Sequence, residues 1–379
     1  MKIIIIGTAY PYRGGGLSTF NERLANEYIS QGHDVEICTF TLQYPSFLFP
    51  GKTQYSTEPA PPGLKIIRAI NSINPFNWFR VGEKIRKRQP DLVIIRFWIP
   101  FMAPCLGTIA RRIRKNKKTR IVSILDNIIP HEKRIGDHAL AQYFLDSVDG
   151  FVVMSQSVLK DIDSFNTQKP GAFSPHPLYD NFGEKVSRKE ALEKLNLDNS
   201  QQYMLFFGFI RDYKGLDLLL KAYADERFRS LNVKLIVAGE FYNDPEQYFR
   251  LEKKLGLEGS IIWFNHFIPN SEVKYYFCAA DIIVQPYKSA TQSGVTQIAY
   301  HFEKPMLVTN VGGLSEIVPN GKVGYSVNPD ETEITNALID FYKNERFDDF
   351  TDNIIKEKEK YTWSKMTETI NYMLEKHTE

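Results

Sequence analysis

Short apolar runs alternate with amphipathic helical stretches along the whole chain. The first half offers KIIIIGT (2–8), DVEICTF (34–40), LKIIRAI (64–70), DLVIIRFW (91–98), RIVSILD (120–126) and GFVVMS (150–155). These runs are apolar without strict alternation, the pattern of strands buried on both faces of a parallel sheet. Between the first two, Leu17, Phe20, Leu24 and Tyr28 form one helical stripe, and Gly32 ends it. KPGAFSPHPLYDNFG (169–183) is rich in Pro and Gly and predicts an interdomain linker. The pattern then restarts with YMLFFGFI (203–210), VKLIVAGE (233–240), SIIWFNHF (260–267), DIIVQPY (281–287) and PMLVTN (305–310). Helices are predicted over 215–225, 245–256 and 294–303, no strand is predicted after 330, and two amphipathic helices close the chain. Strands alternating with helices imply parallel sheets with crossover helices. The repeat is at domain scale, two doubly wound α/β domains: residues 1–175, residues 176–355, and a closing helix over 356–379 that packs back on the first domain.

One stretch, LVIIRFWIPFMAPCLGTIA (92–110), is long and mostly apolar. Arg96, Pro100 and Pro104 interrupt it, whereas a membrane span needs about 20 unbroken apolar residues. A strand followed by a helix accounts for it better.

Composition adds little beyond an ordinary globular protein: 379 residues, 43% hydrophobic and 24% charged. Cys38, Cys105 and Cys278 are widely spaced, which gives neither a disulfide framework nor a CxxC metal pair, and a reducing compartment is expected. The N-terminal apolar run is too short for a signal peptide. A cytoplasmic location follows, at the inner face of the membrane if the basic surface described below docks there. The net charge of +2 hides an asymmetry. Residues 1–180 carry 23 Lys and Arg against 15 Asp and Glu, and residues 181–379 carry 24 against 30. A basic half suggests an anionic partner.

Four places along the chain carry candidate chemistry. In TAYPYRGGGLSTF (8–20) a strand runs through Gly14, Gly15 and Gly16 into a helix. Such a turn lets backbone approach an anionic or polyhydroxylated ligand at a helix N-terminus, although a plain tight turn has the same signature. It is neither G-x-G-x-x-G nor a Walker loop. In FFGFIRDYKGLDLLLKA (206–222), Arg211 and Lys214 sit between a strand and a helix, where two cations can hold a diphosphate. In DIIVQPYKSATQSGVTQIAYHFEKP (281–305), a small polar loop leads into a helix. There the backbone N–H groups of Gly294, Val295 and Thr296 and the hydroxyl of Ser293 can meet phosphate. In SILDNIIPHEKR (123–134), Asp126, Asn127 and His131 follow a strand, at the sheet edge where ligands bind in such folds.

The second and third places resemble the C-terminal half of the family-four, or group 1, retaining glycosyltransferases. The likeness rests on G-x-x-x-x-x-K-G from Gly208 to Lys214-Gly215, VAGE ending at Glu240, DIIVQPY, Lys304-Pro305 and V-G-G-L-x-E ending at Glu316. The N-terminal glycine loop and the Gly32–Val35 stretch fit as well, so nearly the whole chain is covered in order. The resemblance implies a GT-B fold, two Rossmann-like domains facing a cleft. It also implies transfer of a hexosyl unit from a nucleotide-diphosphate sugar to a glycan or lipid-linked acceptor, with retention, without a cofactor and without metal. Gly208, Gly215, Glu240, Gln292, Ser293, Gly294, Val295 and Thr296 would bind the donor. Arg211, Lys214, Asp126, Asn127 and His131 would be the catalytic candidates.

The sequence departs from its family at three points. The E-x7-E motif would fall on Ala290 and Ile298, so both carboxylates are missing, and Q-S-G stands in place of the first acidic segment. Ribose binding must then come from elsewhere, with Gln297 and Glu303 as candidates. The family's Arg after the first-strand glycine is Phe209, with Arg211 two residues on. Its His near residue 126 is displaced, since Leu125 and Asp126 flank that place. Two rival functions share the fold: a nucleotide-sugar epimerase and a non-catalytic binding protein.

Finally, the helix 101–115 turns Phe101, Met102, Leu106, Ile109 and Ile113 inward and leaves Arg111, Arg112 and Lys115 outside. With Arg114, Lys117 and Lys118 they make either a solvated face or a contact for an anionic membrane. No nucleic-acid-binding fold or aromatic–basic platform is visible, so nucleic acid is not an expected partner.

Overall fold

In the computed structural model, the strands lie where the apolar runs place them. Described are residues 1–13, 16–45, 54–56, 59–129, 134–242, 244–290 and 293–375. The chain divides into two compact units, Met1–Pro177 with Tyr361–Glu379, and Leu178–Lys360.

The first unit carries β1 (Lys2–Ile6), β2 (Asp34–Leu42), β3 (Ile66–Asn71), β4 (Leu92–Phe97), β5 (Arg120–Leu125), β6 (Gly150–Val153) and β7 (Gly171–Phe173). Among the described residues these form one sheet, ordered β3-β2-β1-β4-β5-β6-β7, with every pairing parallel. Its helices are α1 (Gly16–Ser30), α2 (Pro75–Arg88), α3 (Ala103–Arg114), α4 (Asp137–Leu145) and α5 (Gln156–Ile162). Ile3 to Ile6 of β1 are fully buried, because helices cover both faces of a central parallel strand. The predicted linker over 169–183 is partly structured, since β7 lies inside it as an edge strand on β6. Its short Gly-Ala-Phe sequence carries no apolar run to betray it.

The second unit repeats the plan. β8 (Tyr203–Phe207), β9 (Lys234–Ala238), β10 (Ile261–Phe264), β11 (Ile282–Gln285), β12 (Met306–Thr309) and β13 (Gly324–Val327) form a sheet ordered β10-β9-β8-β11-β12-β13, again all parallel. Its helices are α6 (Arg188–Lys194), α7 (Leu216–Tyr223), α8 (Glu226–Arg229), α9 (Glu246–Lys254), α10 (Val273–Ala279), α11 (Gly294–His301), α12 (Leu314–Ile317), α13 (Glu331–Lys343) and α14 (Phe347–Glu357). Ser187, Ser293 and Asp330 cap α6, α11 and α13 through side-chain oxygens that accept backbone N–H groups. β13 has no counterpart among the predicted strands; GYSV is short and half-exposed.

The final helix, α15 (Trp363–Glu375), belongs to the first unit and covers α1. Trp363 packs edge-on against Phe20 at 4.8 Å between ring centres, and Tyr28 Oη donates to Asn371 Oδ1 at 3.2 Å. On another side of Phe20 the fully buried His176 ring stands edge-on at 5.3 Å, and its Nδ1 meets the Pro177 carbonyl at 2.7 Å.

The basic run differs from expectation. Arg111 donates to the Tyr143 carbonyl and lies over the Tyr143 ring, Arg112 pairs with Glu83, and Arg114 pairs with Asp149. These guanidiniums hold α3 to its neighbours; Lys115, Lys117 and Lys118 remain exposed. No described helix is long and apolar enough to cross a membrane.

Burial, with Arg96 nearby, pushes the His176 imidazole down to about 3. A folded pKa below the unfolded 6.5 means that the unfolded chain binds more protons between those values. Stability is therefore complete above about pH 6.5 and is lost as pH falls toward 3. Urea unfolding of the parent should show an acid loss on the order of 2 kcal/mol between pH 6.5 and 4 that His176→Gln lacks. Equal pH profiles would contradict this.

Candidate active site

Sheet topology selects two places. A doubly wound sheet binds ligands outside the carboxyl ends of its strands, where the strand order reverses. In the first unit the reversal lies between β1 and β4, and in the second between β8 and β11.

In the second unit, β8 ends at Phe207 and Gly208 turns the chain at φ 101°. A 3₁₀ turn over Asp212–Lys214 follows, then Gly215 at φ 70° and α7. Closeness as well as φ demands glycine at both positions. A Cβ on Gly215 would lie 1.9 Å from the Pro286 carbonyl oxygen, and one on Gly208 would lie 2.9 Å from Lys214 Nζ. The loop is thus pressed on the end of β11, with the ammonium of Lys214 folded over Gly208.

Lys214 is buried, 5.4 Å from the centre of the Tyr287 ring. Desolvation lowers its pKa; Tyr213 opposes that shift and Arg211 adds to it. Arg211 lies over the Tyr242 ring at 4.6 Å. Among the described residues no carboxylate forms an ion pair with either cation.

Across the strand reversal, Ser293 caps α11 by accepting from Val295 N at 3.2 Å, and its hydroxyl lies 3.2 Å from Tyr287 Oη. Burial pushes that phenol up to about 12. Val295 reaches toward Gly208, 3.8 Å from where a Cβ there would stand. Gly294 leaves room for the Tyr179 ring, which a Cβ would meet at 2.7 Å. Thr296 Oγ1 donates back to the Ser293 carbonyl, so its hydroxyl serves the loop. Because Ser293 occupies the Val295 N–H, that donor is not open to phosphate as the sequence suggested. Glu240 is buried beyond β9, and its carbonyl accepts from Ile210 N at 2.9 Å. Gly208, Lys214, Tyr287, Ser293 and Val295 therefore converge, with Arg211 and Glu240 on adjoining backbone; Gln292 lies outside the described residues.

The two ribose candidates separate. Glu303 is held by Lys185 at 2.6 Å and Lys358 at 2.7 Å, in a surface ion-pair network. Gln297 is fully buried, and among the described residues neither end of its amide has a partner; the same is true of Gln285 at the end of β11. Ile298 is 5% exposed. Lys304 precedes β12 and so sits at the opposite edge of the sheet, where it donates to the Cys278 carbonyl at 3.3 Å.

In the first unit, Gly14, Gly15 and His131 lie outside the described residues. Gly16 opens α1 and is exposed. The preceding loop is pinned from α1: Glu22 Oε1 accepts from Tyr10 N at 2.7 Å and from Ser18 Oγ at 3.0 Å, and Asn21 Nδ2 donates to the Thr8 carbonyl at 2.9 Å.

Asp126, past β5, is not a free carboxylate. Arg96 of β4 grips both of its oxygens, with Nε 2.6 Å from Oδ2 and the second bond from Nη2 to Oδ1. The Arg96 guanidinium also lies 3.8 Å from the centre of the Phe20 ring. Arg96 is 2% exposed, and the Asp126 side chain 19%. Burial pushes the Asp126 carboxyl above its ordinary value, and the guanidinium pulls it back. Arg96 Nη1, Asn127 Oδ1 and Asn21 Oδ1 are buried without partners. Arg96 is the site residue that sequence reading passed over. Its signal was there, a single charge in the doubly buried run LVIIRF, which can persist only if paired.

Comparison with known proteins places this geometry. The model described as "Glycosyl transferases group 1" matches residues 187–361, and that described as "Glycosyltransferase Family 4" matches residues 14–170. The chain is a group 1 glycosyltransferase. This glycosyltransferase is 24% identical over 402 aligned positions to an uncharacterized glycosyltransferase of Methanocaldococcus jannaschii, covering 98% of this chain and 97% of the relative. Among solved structures it is similar to sucrose-phosphate synthase of Thermosynechococcus elongatus, with TM-score 0.74 and 16% identity over 100% and 99% of the two chains. It is also similar to Anabaena HepE in complex with UDP and glucose, with TM-score 0.72 and 14% identity over 99% and 100%. At these identities the structures establish the fold, GT-B, for the glycosyltransferase.

Two tests follow from the charges. Lys214→Met removes a buried ammonium that has no ion-pair partner, so the melting temperature should hold or rise while glycosyl transfer falls by about 3 kcal/mol of transition-state stabilisation. Equal turnover in the variant would remove Lys214 from the site. Arg96→Leu strands a largely buried carboxylate and should cost about 3 kcal/mol in urea unfolding. The double change with Asp126→Leu should recover part of that loss; additive losses would show that the pair is not a unit.

Proposed function

We propose that this glycosyltransferase moves a hexosyl unit from a nucleotide-diphosphate sugar to a glycan or lipid-linked acceptor, with retention and without a metal. One observation carries the reading: Lys214 stands over Gly208 near Val295 of the first turn of α11, with Arg211 on the same loop, and among the described residues neither has a carboxylate partner. Two cations on one loop, the nearer of them at the positive end of a helix, suit a diphosphate. They also stabilise it as charge develops on departure, the task that Mg²⁺ performs in other sites. HepE, of the same fold, was solved with UDP and glucose, which supports a nucleotide sugar as donor.

In this mechanism the acceptor hydroxyl attacks the anomeric carbon on the face from which the diphosphate leaves. The bond from that carbon to the phosphate oxygen breaks with its electron pair on the diphosphate, and the departing oxygen takes the acceptor proton. No enzyme carboxylate is then needed as nucleophile or general base; in the first unit, Asp126 is engaged by Arg96. Gln292 and Ser293 meet the donor through neutral hydrogen bonds in place of the absent carboxylates. With Glu303 held by two lysines, Gln297 is the polar group next to position 298 left to serve the ribose. Asn127 and His131 remain candidates for contact with the sugar, and the Gly14–Gly16 loop for the acceptor. The epimerase and the binding-protein alternatives lack a comparable supporting feature; an epimerase needs paired acid and base groups, and none are brought together beside Lys214 among the described residues.

The reading is tested by nucleotide release from a panel of UDP- and GDP-sugars, with free and lipid-linked acceptors, with and without EDTA. One donor should turn over in an acceptor-dependent way and be insensitive to EDTA. Gln292→Ala and Ser293→Ala should each slow it. Ile298→Glu should not raise it, because the new carboxylate would be buried without a partner. Turnover that requires Mn²⁺, or donor consumption without any acceptor, would refute the mechanism.

A further inference from the structure

α2 begins directly after the edge strand β3, so its first turn lies at the carboxyl edge of the first sheet, the edge that carries Gly16 and Asp126. That turn is firmly built. Asn74 caps it by accepting from Asn77 N, Asn77 Nδ2 donates to the Ala69 carbonyl at 2.9 Å, and Trp78 Nε1 donates to the Asn71 carbonyl at 2.7 Å. With Asn77 and Trp78 bonded back to the end of β3, the turn holds large apolar side chains outward. Phe76 is 88% exposed, Phe79 55% and Ile73 50%. Single exposed apolar residues are ordinary, but three on one turn of a rigid element mark an interaction surface.

The same stripe continues as Arg80, Lys84 and Lys87, all exposed and without a carboxylate partner among the described residues. The only acid on the helix, Glu83, is bound by Arg86 and Arg112. Around α2 and α3, residues 65–120 hold 15 Lys and Arg against Glu83 and Asp91 alone. Aromatic side chains at one end of a helical stripe, followed by unpaired cations, are the chemistry of a helix lying in the interface of an anionic bilayer.

We propose that the outer face of α2 docks on an anionic lipid surface, with Ile73, Phe76 and Phe79 entering the headgroup region and Arg80, Lys84 and Lys87 on the phosphates. This replaces α3, three of whose arginines are engaged, as the membrane-facing element. A second copy of the chain is a poorer occupant, because pairing two such faces would gather two uncompensated cationic stripes into one interface. The inference rests on the lipid-linked acceptor reading for its purpose: the docked turn would bring the carboxyl edge of the first sheet to the membrane that holds such an acceptor.

The test measures binding without turnover, so that the two readings can fail separately. The full chain is sedimented with phosphatidylcholine vesicles, alone or containing about 30% phosphatidylglycerol. The parent should pellet with the anionic vesicles, less so at high salt, and hardly with the neutral ones. Phe76→Ser with Phe79→Ser should weaken that binding about tenfold while leaving the melting temperature and vesicle-free turnover unchanged. Lys84→Gln with Lys87→Gln should weaken the preference for anionic lipid. The proposal is overturned if the parent ignores anionic vesicles, or if the serine variant binds like the parent. It is also overturned if the parent forms a concentration-dependent dimer that the serine variant abolishes, since a second copy would then cover the face. Vesicle binding by a protein that turns over no donor would count against the glycosyl-transfer reading alone.

Discussion

Everything functional in this molecule depends on a constraint of parallel pairing. All strands of each sheet point the same way, so each carboxyl end and the loop that follows it gather on one edge. The chain lays down three strands outward from β1 and then returns to place β4 on the other side; β8 and β11 repeat the manoeuvre. At each reversal the two flanking loops lead to helices on opposite faces, and a space opens between them. In the second unit that space receives Lys214 from one loop and the α11 N-terminus from the other. In the first it receives Arg96 from β4, with α1 laid across it.

The two spaces are built in opposite electrostatic styles. In the second unit the buried Lys214 has no carboxylate partner among the described residues, a costly arrangement unless an anion arrives. The first unit pairs its buried cation with Asp126 and sandwiches it on Phe20. One is a charge waiting for a ligand. The other is a neutralised pair whose remaining polar atoms, Arg96 Nη1 and Asn127 Oδ1, stay fixed in place.

The strands were legible because fully buried parallel strands write themselves as continuous apolar runs. Two were not: β7 and β13 are edge strands, three and four residues long, with little side-chain burial to leave a mark. Arg211 and Lys214 were legible from their position between a strand and a helix. The role of Arg96 needed the structure, since its partner is 30 residues away, just past the end of the next strand. The basic run on α3 was legible only in part, for a related reason. Sequence shows a row of charges, but not that Glu83, Tyr143 and Asp149 wait on neighbouring elements to bind them. Conversely, the aromatic face of α2 looks in sequence like core, because Phe76 and Phe79 sit near Trp78 and Val81; only exposure tells them apart.

The first unit is discontinuous, because α15 closes over α1 only after the whole second unit has intervened, and 343 residues separate Tyr28 from its partner Asn371. On the ribosome, Phe20 and Tyr28 therefore emerge long before Trp363 and Asn371 exist to cover them. At 5–20 residues per second, synthesis of residues 178–360 takes roughly 10–40 s, during which the first unit stands with an uncovered aromatic face. The second unit, continuous in sequence, can complete itself in that interval. Maturation of this protein is thus ordered from the middle outward, and the period before α15 arrives is when it has most need of chaperone protection.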